Sequence, residues 1–135
     1  MRITTPEHDL GRLLSGMRPE LHPGRYVFTT VPASVPPGLT PVATVTEDEG
    51  LTLVVRREEA DGAGLAYDYV AGWITLRVHS ALAAVGLTAA VATALAGAGI
   101  GCNVVAGHHH DHLFVPYERA DESVALLQGP AERAG

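Results

Sequence analysis

The feature that most constrains this chain is a long run without charged side chains. Residues 78–110 contain no Asp, Glu, Lys or Arg. A helix that spans a bilayer needs about 20 apolar residues. Here Gly86, Gly97, Gly99 and Gly101 interrupt a run made mostly of small residues, and glycine weakens a helix interior. The pattern therefore predicts a helix buried inside a protein rather than a membrane span.

Within that run, apolar residues at helical spacing predict a helix that starts at Leu87. Leu87, Val91 and Leu95 recur every four residues on one face, and the glycines that follow end the helix. A second helix is predicted at residues 119–128. Strands are predicted around the first helix, in segments rich in β-branched residues: 73–78, 102–106 and 112–117. The second half thus shows the order strand, helix, strand, strand, helix.

The first half shows the same order with one replacement. A proline-rich loop at residues 32–41 stands where the second half has its long helix, and residues 57–63 predict a short helix. The strands are predicted at 25–31, 42–46 and 51–55, the last two flanking an acidic turn in the pattern of a hairpin. The order is a degenerate internal repeat.

The chain ahead of this repeat carries a different pattern. Residues 7–17 predict a short helix, because leucines recur on one face. Pro19 and Pro23 then predict an irregular segment.

The repeated order predicts an α+β fold of two ferredoxin-like units with antiparallel sheets, of which the first is degenerate. Neither half ends in a clear last strand. Each unit would therefore have to borrow a strand from the other half or from another subunit. A parallel pairing across the long helix would form a right-handed crossover.

The balance of charges excludes several classes of partner. Nine Arg, no Lys and 15 acidic residues give a net charge of −6 at pH 7, and only Arg56 and Arg57 are adjacent. Nucleic acids and anionic membranes attract clustered cations, so neither is expected as a partner. Cys102 is the one cysteine, so no intrachain disulfide forms. Its Ala/Val context predicts an inert thiol, and a cytoplasmic protein is expected.

Residues 85–115 resemble an ACT domain. The segment carries the family's apolar strand, Gly86-Leu87 at the helix start, Leu95 near the helix end, and an Ala-Gly-Ile sequence before the next strand. The following hairpin resembles that of tandem ACT proteins that sense amino acids, with Asp111 at the family's Asp position. Gly107 and His108 stand where those proteins have Thr and an aromatic residue.

The resemblance extends over residues 72–128, and the first half resembles that of small stand-alone bacterial proteins with two ACT-like units. It implies a degenerate unit with an N-terminal helix at residues 1–66 and a second unit at 67–135. It further implies a non-catalytic regulatory or sensor protein that binds a small molecule, an amino acid, and forms a homodimer. No cofactor and no catalytic residue are expected.

The ligand carboxylate is expected at a strand-to-helix turn, where unpaired N–H groups suit an anion. The ACT resemblance implies that the amino-acid backbone binds at Gly86-Leu87-Thr88 against the second strand of a partnering unit, at the interface of the units. Residues 103–105 would then select the ligand side chain, helped by His79 and His108. The predicted ligand-binding residues are Gly86, Leu87, Thr88, Asn103, Val104, Val105, His79 and His108.

The histidines of the second hairpin support an alternative function. Four imidazoles and a carboxylate lie within residues 108–112, and such side chains bind Zn²⁺ or Ni²⁺. The candidate ligands are His108, His110 and His112, with a further ligand such as His79 or Asp111. A solvated polar turn explains the same residues. A structural assembly module, and a small enzyme with a histidine base, are the remaining alternatives.

Overall fold

Residues 17–78 and 81–134 are described by the computed structural model. Seven strands and three helices follow one another in this part of the chain. The strands are β1 Met17–Leu21, β2 Tyr26–Val31, β3 Ala43–Glu47, β4 Gly50–Arg56, β5 Val70–Val78, β6 Asn103–Ala106 and β7 Asp111–Pro116. The helices are α1 Arg57–Gly62, α2 Ala81–Gly97 and α3 Ala120–Ala134, the last of which follows a 3-10 turn at Tyr117–Arg119.

All the strands join one antiparallel sheet, whose main order is β3-β4-β2-β5-β7-β6. The start of β5, Val70 and Ala71, pairs with β2. Residues 74–78 of β5 pair with β1, and residues 71–76 pair with β7. Residues 74–76 of β5 pair with both β1 and β7, so these two strands lie on opposite sides of β5. β2 and β1 therefore pair with successive stretches of the same side of β5.

Each half of the chain completes its sheet with a strand from the other half. In the second half, β1 lies beside β5, where the last strand of a ferredoxin-like unit belongs. In the first half, the start of β5 takes that place beside β2. β6 runs parallel to β5 with β7 between them, so the two strands joined by α2 do not pair directly. The predicted α+β fold of two ferredoxin-like units is confirmed.

The helices of the described residues pack on one face of this sheet. Ile74, Leu76 and Leu113 form one core with leucines of α2 and α3. Val27 and Leu53 form a second core with Ala60 of α1. The pairing of Val27 with Val70 puts both cores on the same face, because alternate residues of β5 share a side. We call this the covered face.

The opposite face, which we call the open face, carries a third cluster centred on Tyr26, Val54 and Phe114. Trp73, Phe28 and the other members of this cluster come from strands and loops, with no residue from the described helices. The centre of this cluster is nevertheless buried, because Tyr26, Val54 and Phe114 are each no more than 1% exposed.

Two predictions about local structure are wrong. α2 begins at Ala81 rather than at Leu87, because the Ala and Leu residues before Gly86 are strong helix formers that outweigh one glycine. Pro19 lies inside β1 rather than in an irregular segment. β1 pairs only with β5 among the described strands, and an edge strand tolerates a residue without an N–H group.

Met17, the last residue of the predicted first helix, begins β1, and residues 7–16 lie outside the described part of the chain. No helix in the described ranges combines the length and the hydropathy that crossing a membrane requires.

Candidate functional site

The predicted ligand-binding residues of α2 do not lie at a strand-to-helix turn. Gly86, Leu87 and Thr88 lie in the second turn of α2. From the fifth residue of a helix onward, each N–H bonds to the carbonyl four residues earlier, so these N–H groups are not free to bind a carboxylate. Leu87 is buried in the core. Thr88 is exposed, and its Oγ1 donates a hydrogen bond to Asp111 Oδ2 at 3.3 Å.

The predicted residues of β6 lie at an edge of the sheet. Asn103 and Val104 are exposed, and Val105 is half-buried against the open-face cluster. Ala106 at the end of β6 pairs with Asp111, the partner of Thr88. The structure thus brings α2, the end of β6 and the turn that holds His108 to one end of the sheet. His79 lies outside the described residues.

The hairpin histidines point toward different partners. His110 Nε2 lies 3.3 Å from Arg77 Nη1, and His112 Nδ1 accepts a hydrogen bond from Trp73 Nε1 at 3.1 Å. His108 is exposed and its ring contacts His109 edge-on, with ring centroids 4.9 Å apart. The described ranges contain no group of three or more His, Cys, Asp or Glu side chains placed to hold a metal ion. The predicted set of His108, His110 and His112 is therefore not assembled there.

A cluster that the sequence did not predict lies on the open face: His22, Trp73, Thr75 and His112, which we call the indole cluster. The His22 ring stacks on the Trp73 indole with centroids 3.6 Å apart and planes 13° apart. The Thr75 hydroxyl lies 2.7 Å from His22 Nε2 and 3.1 Å from His112 Nδ1. The four side chains thus form one connected group across β1, β5 and β7.

The hydrogen bond from Trp73 requires a neutral His112. An indole N–H only donates, so His112 Nδ1, which accepts from Trp73, carries no proton. Burial lowers the pKa of both His22 and His112 below its usual value. For His112, geometry and desolvation both favour the neutral ring. For His22, desolvation outweighs the Glu20 carboxylate 3.6 Å away, which favours the charged ring.

An ion pair borders the indole cluster and joins β1 to β5. Arg77 Nε and Nη2 each donate to one carboxylate oxygen of Glu20 at 3.2 Å. The hydrogen bond from Arg77 lowers the pKa of Glu20. Both side chains are about half exposed, so solvent screens the pair and its main effect is to fix the position of β1.

Cys102 is half-buried just before β6. Burial raises the pKa of its thiol to about 11, so the thiol is protonated at neutral pH. This agrees with the prediction of an inert thiol, because the thiolate is the reactive form.

A cavity of about 450 Å³ opens on the open face beside Trp73. Its walls come from β2, the end of the proline-rich loop, the junction of β4 with α1, and β5. Sequence reasoning missed this cavity because its residues are far apart in the chain. The one available signal was a single Trp in a chain otherwise poor in aromatic residues.

Comparisons with known proteins agree with this architecture. Sequence profiles of the ACT domain match residues 5–72 and residues 69–129. No curated protein matches the chain.

Several solved structures resemble the chain. A protein of unknown function from Vibrio cholerae, VC0802, described as a possible transport protein, is 48% identical with a TM-score of 0.82, over 93% of this chain and 96% of that one. Protein Atu0741 from Agrobacterium tumefaciens is 20% identical with a TM-score of 0.67, over 85% and 89%. The ligand-free regulatory subunit of aspartate kinase from Thermus thermophilus is 9% identical with a TM-score of 0.61, over 83% and 95%.

The last two structures, at such low identity, show the fold alone. The tandem profile matches cover both halves of the chain, and their overlap at residues 69–72 falls at the start of β5, the strand that both halves share. The chain belongs to the ACT domain family.

Proposed function

We propose that this protein is a non-catalytic, cytoplasmic regulator that binds an amino acid on its second ACT unit, residues 67–135. Membership of the ACT family implies regulatory binding of small molecules in general. The amino acid is the finer part of the proposal. It is supported by the resemblance of the hairpin after α2 to that of tandem ACT proteins that sense amino acids, with Asp111 at the family's Asp position.

The observation that carries the proposal is the hydrogen bond from Thr88 to Asp111. It joins α2 to the first residue of β7, beside the end of β6. Ligand groups that reach this end of the sheet would meet Thr88, Asp111 and His108 together. Val104 lies further along β6 on the same face as α2 and would contact the ligand side chain, whereas Asn103 and Val105 point to the open face.

Because α2 starts earlier than the sequence predicted, the expected position of the ligand carboxylate changes as well. The first four N–H groups of a helix have no partner inside the helix, and α2 has no acidic residue in its first turn to occupy them. The positive end of the helix favours an anion there. We therefore place the ligand carboxylate at the first turn of α2, which begins at Ala81, rather than at Gly86.

The proposal includes a homodimer, as ACT domains often form. β3 and β6 each pair with one strand only among the described strands, so both are edges of the sheet. Val45 is 48% exposed and Val104 is 39% exposed on these edges. Unpaired edges with apolar side chains favour the addition of another strand. Pairing through β6 would put the proposed ligand site next to the partner subunit.

The proposal is tested by a thermal-shift screen of the metal-free protein against the twenty amino acids. A ligand at 100 times its Kd stabilises a protein by about 2.7 kcal/mol, which raises Tm by about 10 °C for a domain of this size. Thr88→Val removes the hydroxyl with little change of shape and should weaken the binding. Thr93→Val, on the same helix and also exposed, is the matched control.

One amino acid that raises Tm, with a loss of at least about fivefold in affinity for Thr88→Val alone, supports the proposal. Equal affinities for the wild type and both variants would contradict the site. If none of the twenty amino acids raised Tm, the proposal that the ligand is an amino acid would be contradicted. Light scattering after gel filtration separately measures whether the chain is a dimer, and a monomer at all concentrations would contradict that part.

A further inference from the structure

We infer that the cavity on the open face is a second binding site, and that it takes a small zwitterion with an apolar body. The cavity has a volume of about 450 Å³, which lies in the range of small-molecule sites. Its walls include Tyr26, Trp73, Pro41, Val42, Arg56 and Glu59. None of these residues belongs to α2 or β6, so this inference does not depend on the proposed amino-acid site.

Arg56 supplies a cationic group to the cavity lining. It pairs with Tyr26 in the sheet, so its side chain leaves β4 on the open face, beside the Tyr26 ring. Arg56 is exposed, and no salt bridge joins it to an acid among the described residues. A free guanidinium at a cavity wall matches a carboxylate, because its fork of N–H groups donates to both oxygens.

Glu59, three residues after Arg56, supplies an anionic group to the same lining. Its Oε1 accepts a hydrogen bond from the backbone N–H of Thr40 at 2.6 Å. This contact fixes the carboxylate against the end of the proline-rich loop, where Thr40 also lines the cavity. Oε2 is left as an acceptor, and a half-buried carboxylate with a free oxygen suits an ammonium group.

The aromatic part of the cavity lining is held in place. The Trp73 indole is stacked by His22 on one side, and its N–H is used by His112. Tyr26 contacts Trp73 edge-on with centroids 5.4 Å apart, and its hydroxyl donates to the Pro23 carbonyl. Trp73, which is half-buried, therefore offers apolar surface to the cavity, whereas Tyr26 is buried and supports the wall. Rings that are fixed before binding lose little conformational entropy when a ligand arrives.

The two opposite charges in the lining decide the class of ligand. Arg56 would attract a simple carboxylate and Glu59 would repel it, whereas Glu59 would attract a simple amine and Arg56 would repel it. A molecule that carries both groups side by side, as an α-amino acid does, satisfies both residues, while Trp73, Pro41 and Val42 contact its apolar body.

The experiment uses the intrinsic fluorescence of the full chain. Trp73 is the single Trp of the sequence, so its emission reports on this cavity wall. The chain is titrated with leucine, with 4-methylpentanoate, which lacks the ammonium group, and with 3-methylbutylamine, which lacks the carboxylate. We expect a saturable change with leucine and a Kd at least about tenfold weaker for each analogue, since each analogue loses one charge-assisted hydrogen bond.

Variants assign the signal to the cavity. Arg56→Gln and Glu59→Gln should each weaken the leucine response by at least about tenfold. Arg57→Gln, the neighbouring arginine outside the lining, is the matched control and should leave it unchanged. Far-ultraviolet circular dichroism of each variant checks that it is folded.

Thr88→Val separates this site from the one proposed on α2. A fluorescence response that Arg56→Gln removes and Thr88→Val leaves intact supports the second site, whether or not the first exists. An unchanged emission with all three probes overturns it, as does equal affinity for the three probes or equal behaviour of Arg56→Gln and Arg57→Gln. An amino acid that raises Tm without changing Trp73 emission leaves the proposed function standing and overturns this inference.

Discussion

The two faces of the central strand β5 differ in chemistry although their residues alternate along one segment of chain. On the covered face, Ile74 and Leu76 are fully buried among aliphatic side chains of α2 and α3. On the open face, Trp73 and Thr75 contact histidines and aromatic rings instead. Because successive side chains of a strand point to opposite faces, a shift of one residue would exchange the two sets.

The difference between the faces comes from what covers them. Helices bring many aliphatic contacts to the covered face, and such burial supplies most of the stability of a small domain. The open face has no described helix over it. Its polar side chains hydrogen-bond one another, and the cavity beside Trp73 opens on this face. We expect stability to depend mainly on the covered face and pH sensitivity mainly on the open face.

The largest effect on stability is expected from a substitution that creates a void in the core of the covered face. Leu113 is fully buried in the core between the sheet and the helices. Leu113→Ala should lower the free energy of unfolding by about 2–5 kcal/mol, because it removes apolar contacts and leaves a void. Urea denaturation measures the loss.

The control for this prediction is a substitution at Val104, the cross-strand neighbour of Leu113. Val104 pairs with Leu113 and lies on the same face, but it is 39% exposed at the sheet edge. Val104→Ala should change the free energy of unfolding by about 0.5 kcal/mol or less. Similar losses for the two variants would show that burial under the helices is not what distinguishes them.

A smaller effect is expected where the covered face has no room for a side chain. A Cβ added at Gly72 would lie 2.7 Å from the Cβ of Ala120, the first residue of α3. Gly72→Ala should therefore push α3 away from β5 and cost about 1–3 kcal/mol of unfolding free energy. Thermal or urea unfolding of the variant tests this.

Gly97→Ala is the matched control, because the space around Gly97 is open and the residue ends α2. A gain of up to about 1 kcal/mol is expected, since alanine restricts the unfolded chain more than glycine does. A Gly72→Ala variant as stable as the wild type would mean that the contact between β5 and α3 adjusts without cost.

The covered face was largely predictable from the sequence. Leu87, Val91 and Leu95 share one helical face in the sequence, and all three are buried in the core. The predicted strands around them match β5, β6 and β7 to within a few residues. These signals are local, because the period of apolar residues follows the geometry of one helix or one strand.

The open face was not predictable in the same way. His22 and Thr75 are 53 residues apart, and Trp73 and His112 are 39 apart. They meet only because β1 and β7 pair with opposite sides of β5. No local sequence pattern predicts that pairing. Pro19 even led to the prediction that no strand forms at β1, since a proline is unfavourable in a strand that pairs on both sides. The proposed cavity depends on the same long-range order and stays outside the reach of local reasoning.

The smallest effect is expected from the pH dependence of the indole cluster. Burial lowers the pKa of His22 and His112 in the folded protein below the usual 6.5. The unfolded chain therefore binds more protons just below pH 6.5, and stability falls as pH falls through the window between the unfolded pKa and the lowered folded one. Above pH 6.5 the full stability is present, and below the folded pKa the loss is complete.

His22→Gln should flatten part of this pH dependence while leaving stability at pH 8 little changed, and His109→Gln, at an exposed position, should leave the whole profile as it is. Urea unfolding at pH 8, 7, 6 and 5 measures both. The Glu20 carboxylate, whose pKa the Arg77 guanidinium lowers, loses its contribution only in more acidic solution and so does not mask the histidines. A wild-type profile that is flat from pH 8 to 5 would mean that solvent reaches the open face well enough to equalise the two states of the imidazoles, and the contrast between the faces would then be one of packing alone.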